Sequence, residues 1–253
     1  MWKDCKMKKL VIIISIVFSV HSLLAGNFEL GNKTYYQKDY TQAIHYYQLC
    51  IQDGYQDAIL YYNLGNAYFK NNNLGLSILW YERALKLDPG NEDIQHNLAF
   101  ANNQTIDKIY QSEEFFLTRW WKGLLHAGSA KTWSIWSIVF CVFTCVFIAF
   151  ILIAKRANWR IASFFLAISL GICMIFSIVF AIINKKEATS HNELIVTQLN
   201  VVIKSTPDIS GTDLFSVHEG IKAKITDQTK GWYEVKFPNN EKGWIQAENV
   251  EVI

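Results

Sequence analysis

Two stretches without a charged residue constrain this chain more than anything else in it. Residues 134–154 read "SIWSIVFCVFTCVFIAFILIA" and residues 161–183 read "IASFFLAISLGICMIFSIVFAII". Each is long enough, at about 1.5 Å rise per residue, to cross a hydrocarbon core of about 30 Å as a helix. The connection "KRANWR" (155–160) leaves room only for a reversal, so the two form a hairpin. Lys155, Arg156 and Arg160 make it a short, dense basic loop, which belongs on the cytoplasmic side. Lys131, Lys185 and Lys186 weaken that asymmetry without reversing it. Neither span contains an acidic, basic or histidine residue, the groups that transport and proton relays use, so the hairpin reads as an anchor. Cys141 and Cys145 share one helix face, where packing or lipid contact and metal or redox chemistry are the two readings.

A third apolar run, "LVIIISIVFSV" (10–20), comes after Lys3, Lys6, Lys8 and Lys9. It is too short for an unassisted span and suits an export signal. Residues 1–26 are therefore expected to be a signal peptide or N-terminal anchor, cleaved after Ala25 or Gly26 if removed, with Met7 an alternative start to Met1. An exported N-terminal region independently demands the same orientation as the basic loop. The net charge of +2 carries no basic stripe, so no nucleic-acid partner is expected. Cys5, Cys50, Cys141, Cys145 and Cys173 make neither a disulfide framework nor a CxxC pair.

Between 27 and 110 the sequence repeats itself with a shift of 34 residues. Leu30, Leu64 and Leu98 coincide, as do Gly31, Gly65 and Ala99, Ala43 and Ser77, Tyr47 and Tyr81, and Cys50 and Ala84. This helix–turn–helix period resembles the tetratricopeptide repeat. Residues 61–89 match it well. Residues 27–55 match more loosely, with Thr34 in place of an aromatic and Tyr55 in place of proline. A third copy, about 92–108, supplies only a first helix and acts as a cap. The small residues allow close helix approach, and Tyr47 and Tyr81 are expected to fill the gap between adjacent repeats. Two repeats and a cap leave packing incomplete for a solenoid, so a homo-oligomer or bound partner could supply the rest.

The resemblance implies a ligand groove on the face built from first helices. Asn32 and Asn66 occupy one equivalent position there, Asn63 and Asn97 another. Amides offer donor and acceptor together, which suits the backbone of a peptide; solvated asparagines without a ligand are the alternative. A terminal carboxylate fits less well, because Asp93 and Asn97 stand where a carboxylate clamp needs bases.

Residues 111–133 carry "EEFFLTRWWKGLLHAG", placing Phe115, Phe116, Trp120 and Trp121 as membrane-interface anchors or as a docking surface for a membrane partner. Residues 184–193 are expected to link the second span to a module at 194–253 whose apolar period is two. "IKAKI" (221–225) alternates, "WYEVKF" (232–237) puts Tyr233, Val235 and Phe237 on one face, and "PNNEKG" (238–243) has turn composition. The Gly-Trp pairs at 231–232 and 243–244, "HEG" at 218–220 and the ending "GWIQAENVEVI" resemble a bacterial SH3-type domain. Gln246 and Asn249 replace the proline and tyrosine of a proline-peptide site. Trp232 and Trp244 are then either barrel packing or a ligand surface for a protein or cell-wall peptide.

The expected fold class is a multidomain membrane protein: an α-helical tetratricopeptide solenoid, a two-helix transmembrane hairpin and a small all-β SH3-like barrel. That order resembles the BatE-type proteins of the Bacteroides aerotolerance (Bat) operon. The resemblance implies an inner-membrane assembly facing the periplasm, with Bat proteins carrying von Willebrand A domains, a neighbouring MoxR-type ATPase and a role in oxidative-stress tolerance. From the residues, the expectation is a scaffold with no catalytic site, metal or cofactor, since the six histidines are scattered and no phosphate loop or nucleophile elbow occurs. Two alternatives stay open: a peptidoglycan-binding regulator of a wall enzyme, and a holder of apocytochromes during cytochrome c maturation.

Overall fold

A computed structural model describes residues 26–107 and 115–253. The expected signal peptide or anchor lies outside the described residues, apart from Gly26. The chain divides into two compact units. One comprises 26–84, 96–107 and Glu193–Ile253; the other comprises Leu85–Gln95 and 115–192.

Five helices form the repeat region: α1 (26–36), α2 (Tyr40–Gln52), α3 (Ala58–Lys70), α4 (Leu74–Leu87) and α5 (Glu92–Asn102). Their boundaries are set by short polar side chains that recur with the same 34-residue shift. Asp39 caps α2 by accepting from Gln42 N, and Asn73 does the same for Leu76 N at the start of α4. Asp57 caps α3 and Asn91 caps α5. Each carboxylate or amide oxygen satisfies an amide donor that the first turn cannot. The residues before the α2 and α4 caps, Lys38 and Asn72, both take the left-handed conformation. Contrary to the longer cap expected from the sequence, α5 stops at Asn102, whose carbonyl is taken by the Thr105 hydroxyl at 2.8 Å.

The glycines work as expected, but within a repeat. A Cβ on Gly65 would lie 2.7 Å from Tyr81 Cδ1, and one on Gly31 would lie 2.5 Å from Tyr47 Cε1. Each tyrosine therefore fills the notch of its own repeat's glycine, and its hydroxyl donates to an asparagine of the same repeat; Tyr47 also shares a buried cluster with Leu60 and Leu64 of the next repeat. Tyr81 is 2% exposed and cannot swing aside. Gly65→Ala is expected to destabilise the unit by about 2 kcal/mol, the overpacking penalty outweighing alanine's better helix propensity. Thermal unfolding measures it; an unchanged midpoint would show that the notch is not tight.

The C-terminal module has seven antiparallel strands: β1 (Glu193–Val196), β2 (Asn200–Lys204), β3 (Asp213–His218), β4 (Lys222–Thr229), β5 (Trp232–Lys236), β6 (Lys242–Gln246) and β7 (Val250–Val252). The sheet order is β3-β2-β6-β5-β4-β1-β7. Alternation along the strands sends one set of side chains inward, and every strand contributes to a single buried cluster that includes Leu194, Ile203, Val217, Val235 and Ile245. A sheet whose strands all feed one core within about sixty residues must roll around it. The β5–β6 turn falls where composition placed it, with Asn240 in the left-handed region. Strand β3 carried no alternation strong enough to be read from the sequence.

This β module is docked on the repeats within the same unit, and α4 is what they share. Ser77, Ile78, Leu79, Trp80 and Tyr81 are consecutive and all buried. A helix buried on every side is a central element, not a surface stripe. Trp80 faces Tyr61 among the repeat residues, with ring centroids 5.2 Å apart. Arg83 lies 4.6 Å over the Trp80 ring and donates to the Val252 carbonyl of β7 at 2.7 Å. Glu219, in the β3–β4 turn, accepts from the Gly75 amide at 2.8 Å. Asp107 accepts from the His218 amide at 2.6 Å and pairs with its ring at 3.1 Å. Lys222 bridges Glu82 of α4 and Glu193 of β1, at 3.0 Å each.

The second unit contains α6 (Phe116–Leu125), α7 (Ala130–Ile153) and α8 (Ala157–Ala188). The last two are long and apolar enough to cross a membrane. Both outrun the uncharged runs. The turn shortens to 154–156, because nothing in Asn158-Trp159-Arg160 breaks a helix, and the link after α8 shortens to 189–192. Helix α6 is held at the hairpin base: Leu125 O accepts from Trp133 Nε1 and from Asn184 Nδ2, both at 3.0 Å. Asn184 is 3% exposed, and its second bond goes to Phe180 O. Trp121 meets Phe180 edge-on, with centroids 5.3 Å apart, and like Phe115, Phe116 and Trp120 it keeps exposed surface.

Candidate functional site

The four asparagines singled out from the sequence are brought together on α1, α3 and α5. Asn32 Oδ1 accepts from Tyr47 Oη at 2.8 Å and from Asn63 Nδ2 at 3.1 Å. One repeat later, Asn66 Oδ1 accepts from Tyr81 Oη at 2.6 Å and from Asn97 Nδ2 at 2.9 Å. Asn97 Nδ2 also donates to Tyr62 Oη at 2.9 Å. The same three-residue unit, tyrosine to asparagine to next-rung asparagine, thus occurs twice with the 34-residue shift.

The bonding has two consequences. First, the side-chain oxygens of Asn32 and Asn66 are both committed, which fixes amide orientation and leaves the two Nδ2 donors without a partner among the described residues. Second, burial pushes the phenols of Tyr47 and Tyr81 above the usual tyrosine range, so both stay protonated donors. The amides are neither freely solvated nor available whole to a ligand; their acceptor halves hold the rungs together.

Above them lies a cleft of about 210 Å³ lined by Asn32, Tyr35, Tyr36, Tyr62, Asn63 and Asn66, with Tyr47 behind. Its only ionisable lining groups are phenols. Tyr36 is 83% exposed and Tyr35 meets Tyr40 edge-on at 5.4 Å, so the wall presents aromatic surface to solvent. The tyrosine contribution escaped the sequence reading. The signal was present in "TYYQKDY", but tyrosines four or five positions from a repeat glycine look the same whether they pack inward or line a groove.

On the β module, Trp232 pairs with Gln246, and Trp244 with Glu234, in the β5–β6 register. Directly opposed residues share a face, so Trp232, Glu234, Trp244 and Gln246 lie on one side of the sheet. The core residues Val235 and Ile245 lie on the other. Both tryptophans are half-buried. The structure therefore places them together on the outer face, not in the barrel core.

Among the described residues no group of three or more His, Cys, Asp or Glu is arranged to hold a metal. Cys50 is buried beneath the repeats, and burial raises its thiol above the ordinary range, which suits a packing residue. Of the four interface anchors read from the sequence, Trp120 and Trp121 both line an apolar hollow against α7 and α8, and all four keep exposed surface.

Residues 58–91 match the tetratricopeptide repeat, and residues 200–251 match the bacterial SH3 domain. The first match covers α3 and α4 but starts just after the α3 cap, Asp57; the second runs from β2 into β7. The looser repeat formed by α1 and α2 lies outside the match, yet it reproduces the same glycine, tyrosine and asparagine geometry. No curated protein matches the chain significantly.

Proposed function

We propose that this chain is a non-catalytic membrane-anchored scaffold that holds a segment of a partner protein in the tyrosine- and asparagine-lined groove. The observation carrying this reading is the repeated Tyr–Asn–Asn unit, which fixes donors along a cleft and leaves them unspent. Tetratricopeptide repeats and bacterial SH3 domains both support protein–protein interaction as the general role. The β module docks on α4 and on the turn after α5, and so leaves the groove open.

The finer reading is a BatE-type scaffold in a bacterial inner membrane, gathering Bat proteins with von Willebrand A domains beside a MoxR-type ATPase. The order of repeat, aromatic helix, apolar hairpin and SH3 domain supports it. The same features bear on orientation. Repeats before the hairpin and strands after it belong to one unit, which is in keeping with two crossings between them. The basic turn at Lys155 and Arg156 favours the cytoplasm for the turn and the periplasm for that unit.

The test is recovery of a von Willebrand A-domain protein with the tagged full chain from native membranes. Tyr36→Ala combined with Asn63→Ala is expected to lower recovery at least fivefold without changing the amount of chain in the membrane. Unchanged recovery would sink the groove reading. A second reading, peptidoglycan binding, is favoured by the shared outer face of Trp232 and Trp244. Sedimentation of the detergent-solubilised chain with purified sacculi, lost on Trp232→Ala, would support it.

A further inference from the structure

The groove's spacing says more about its occupant than that it is a peptide. Asn63 Nδ2 reaches Asn32 Oδ1, and Asn97 Nδ2 reaches Asn66 Oδ1, so α1, α3 and α5 are neighbours in direct side-chain contact. Helices packed this closely have axes about 8–10 Å apart. The unspent Nδ2 donors of Asn32 and Asn66 sit at equivalent positions on successive first helices, and therefore repeat at about that interval.

An occupant must present carbonyl oxygens on one side with the same period. An extended strand repeats its same-side groups every two residues, roughly 6.7 Å, and falls out of step. A polyproline II helix repeats every three residues, roughly 9 Å, and stays in step. The groove's chemistry agrees. Asn32 and Asn66 have only donors to give, and proline offers a carbonyl with no amide hydrogen. Tyr35, Tyr36 and Tyr62 supply flat aromatic walls, which is how proline-rich segments are held elsewhere. The lining has no lysine, arginine, aspartate or glutamate, so nothing in it selects a charged side chain or a chain terminus.

We infer that the groove binds an uncharged, proline-rich segment in polyproline II conformation, one turn per repeat, with Asn32 and Asn66 donating to carbonyls one turn apart. This rests on the groove-binding reading and specifies its ligand.

The experiment immobilises the full chain in detergent and offers two degenerate pools of ten-residue peptides. One has proline at every third position; the other has alanine there. At least tenfold greater retention of the proline pool is expected. Asn66→Asp keeps an acceptor for Tyr81 and Asn97 but removes the donor, and should lower that retention about tenfold. Tyr36→Ala, at an 83% exposed position, should do the same and guards against misfolding of the first variant. Equal retention of both pools, still lowered by the variants, overturns the polyproline inference and leaves groove binding standing. Retention of the proline pool unaffected by either variant overturns the site. Retention of neither pool overturns both.

Discussion

Gly220→Val is expected to destabilise the docked unit by about 3–5 kcal/mol, the largest effect of any single change proposed. Two penalties combine there. Gly220 sits at φ +87, where an L side chain costs about 1–2 kcal/mol and a β-branched one more. A Cβ would also stand 2.6 Å from Ile78 Cδ1 and 2.8 Å from Thr105 Cγ2, adding an overpacking penalty of about 1–3 kcal/mol. The wedge enters where the β3–β4 turn meets α4, so the variant should separate the repeats from the β module before either unfolds. Calorimetry should show two transitions where the native unit shows one, and limited proteolysis should open that junction. A single transition with an unshifted midpoint would mean that the two modules are not energetically coupled.

Lys222→Glu should cost about 3 kcal/mol, because it places a third carboxylate against Glu82 and Glu193. The figure lies at the low end for a broken buried pair, since the Lys222 side chain keeps 31% of its exposure and solvent screens it in part. Lys222→Met should cost less, removing the bridge without adding repulsion. The bridge also has a pH signature. Burial alone would depress the ammonium, but the Glu82 and Glu193 charges outweigh it and raise the net value above the ordinary 10.5. A raised folded value means that the stabilisation is complete below pH 10.5 and is lost as pH climbs through the folded value. The difference in stability between the native chain and Lys222→Met should therefore be flat through neutrality and shrink in strong alkali. Tyrosine ionisation, common to both proteins, cancels. A difference that grew with alkali would contradict the bridge.

The helices, the hairpin and most strands were legible because each is set by neighbours in sequence. Period 34 placed Gly65 against a large partner, period two placed Val235 inside, and unbroken apolar runs placed α7 and α8. The candidate site was half legible. Asn32, Asn63, Asn66 and Asn97 were identified by register, but their bonding was not, because which amide oxygen is spent depends on a tyrosine hydroxyl fifteen residues away. Asn184 was missed because it lies one position past the uncharged run and bonds a carbonyl fifty-nine residues earlier.

Lys222 marks the boundary most clearly. In "IKAKI" it reads as the solvent-facing partner of a buried isoleucine, and local alternation permits nothing else. Its actual surroundings are a helix residue 140 positions away and the first residue of β1. Periodicity, charge-free length and turn chemistry act between residues near in the chain, so they dictated the elements and which way their faces point. Docking the β module on α4 depends on two surfaces separated by the whole hairpin, and no local pattern encodes the match between such surfaces. Only the folded unit, with Gly220 against Ile78 and Glu219 on the Gly75 amide, decided that two modules would become one body with its groove left open.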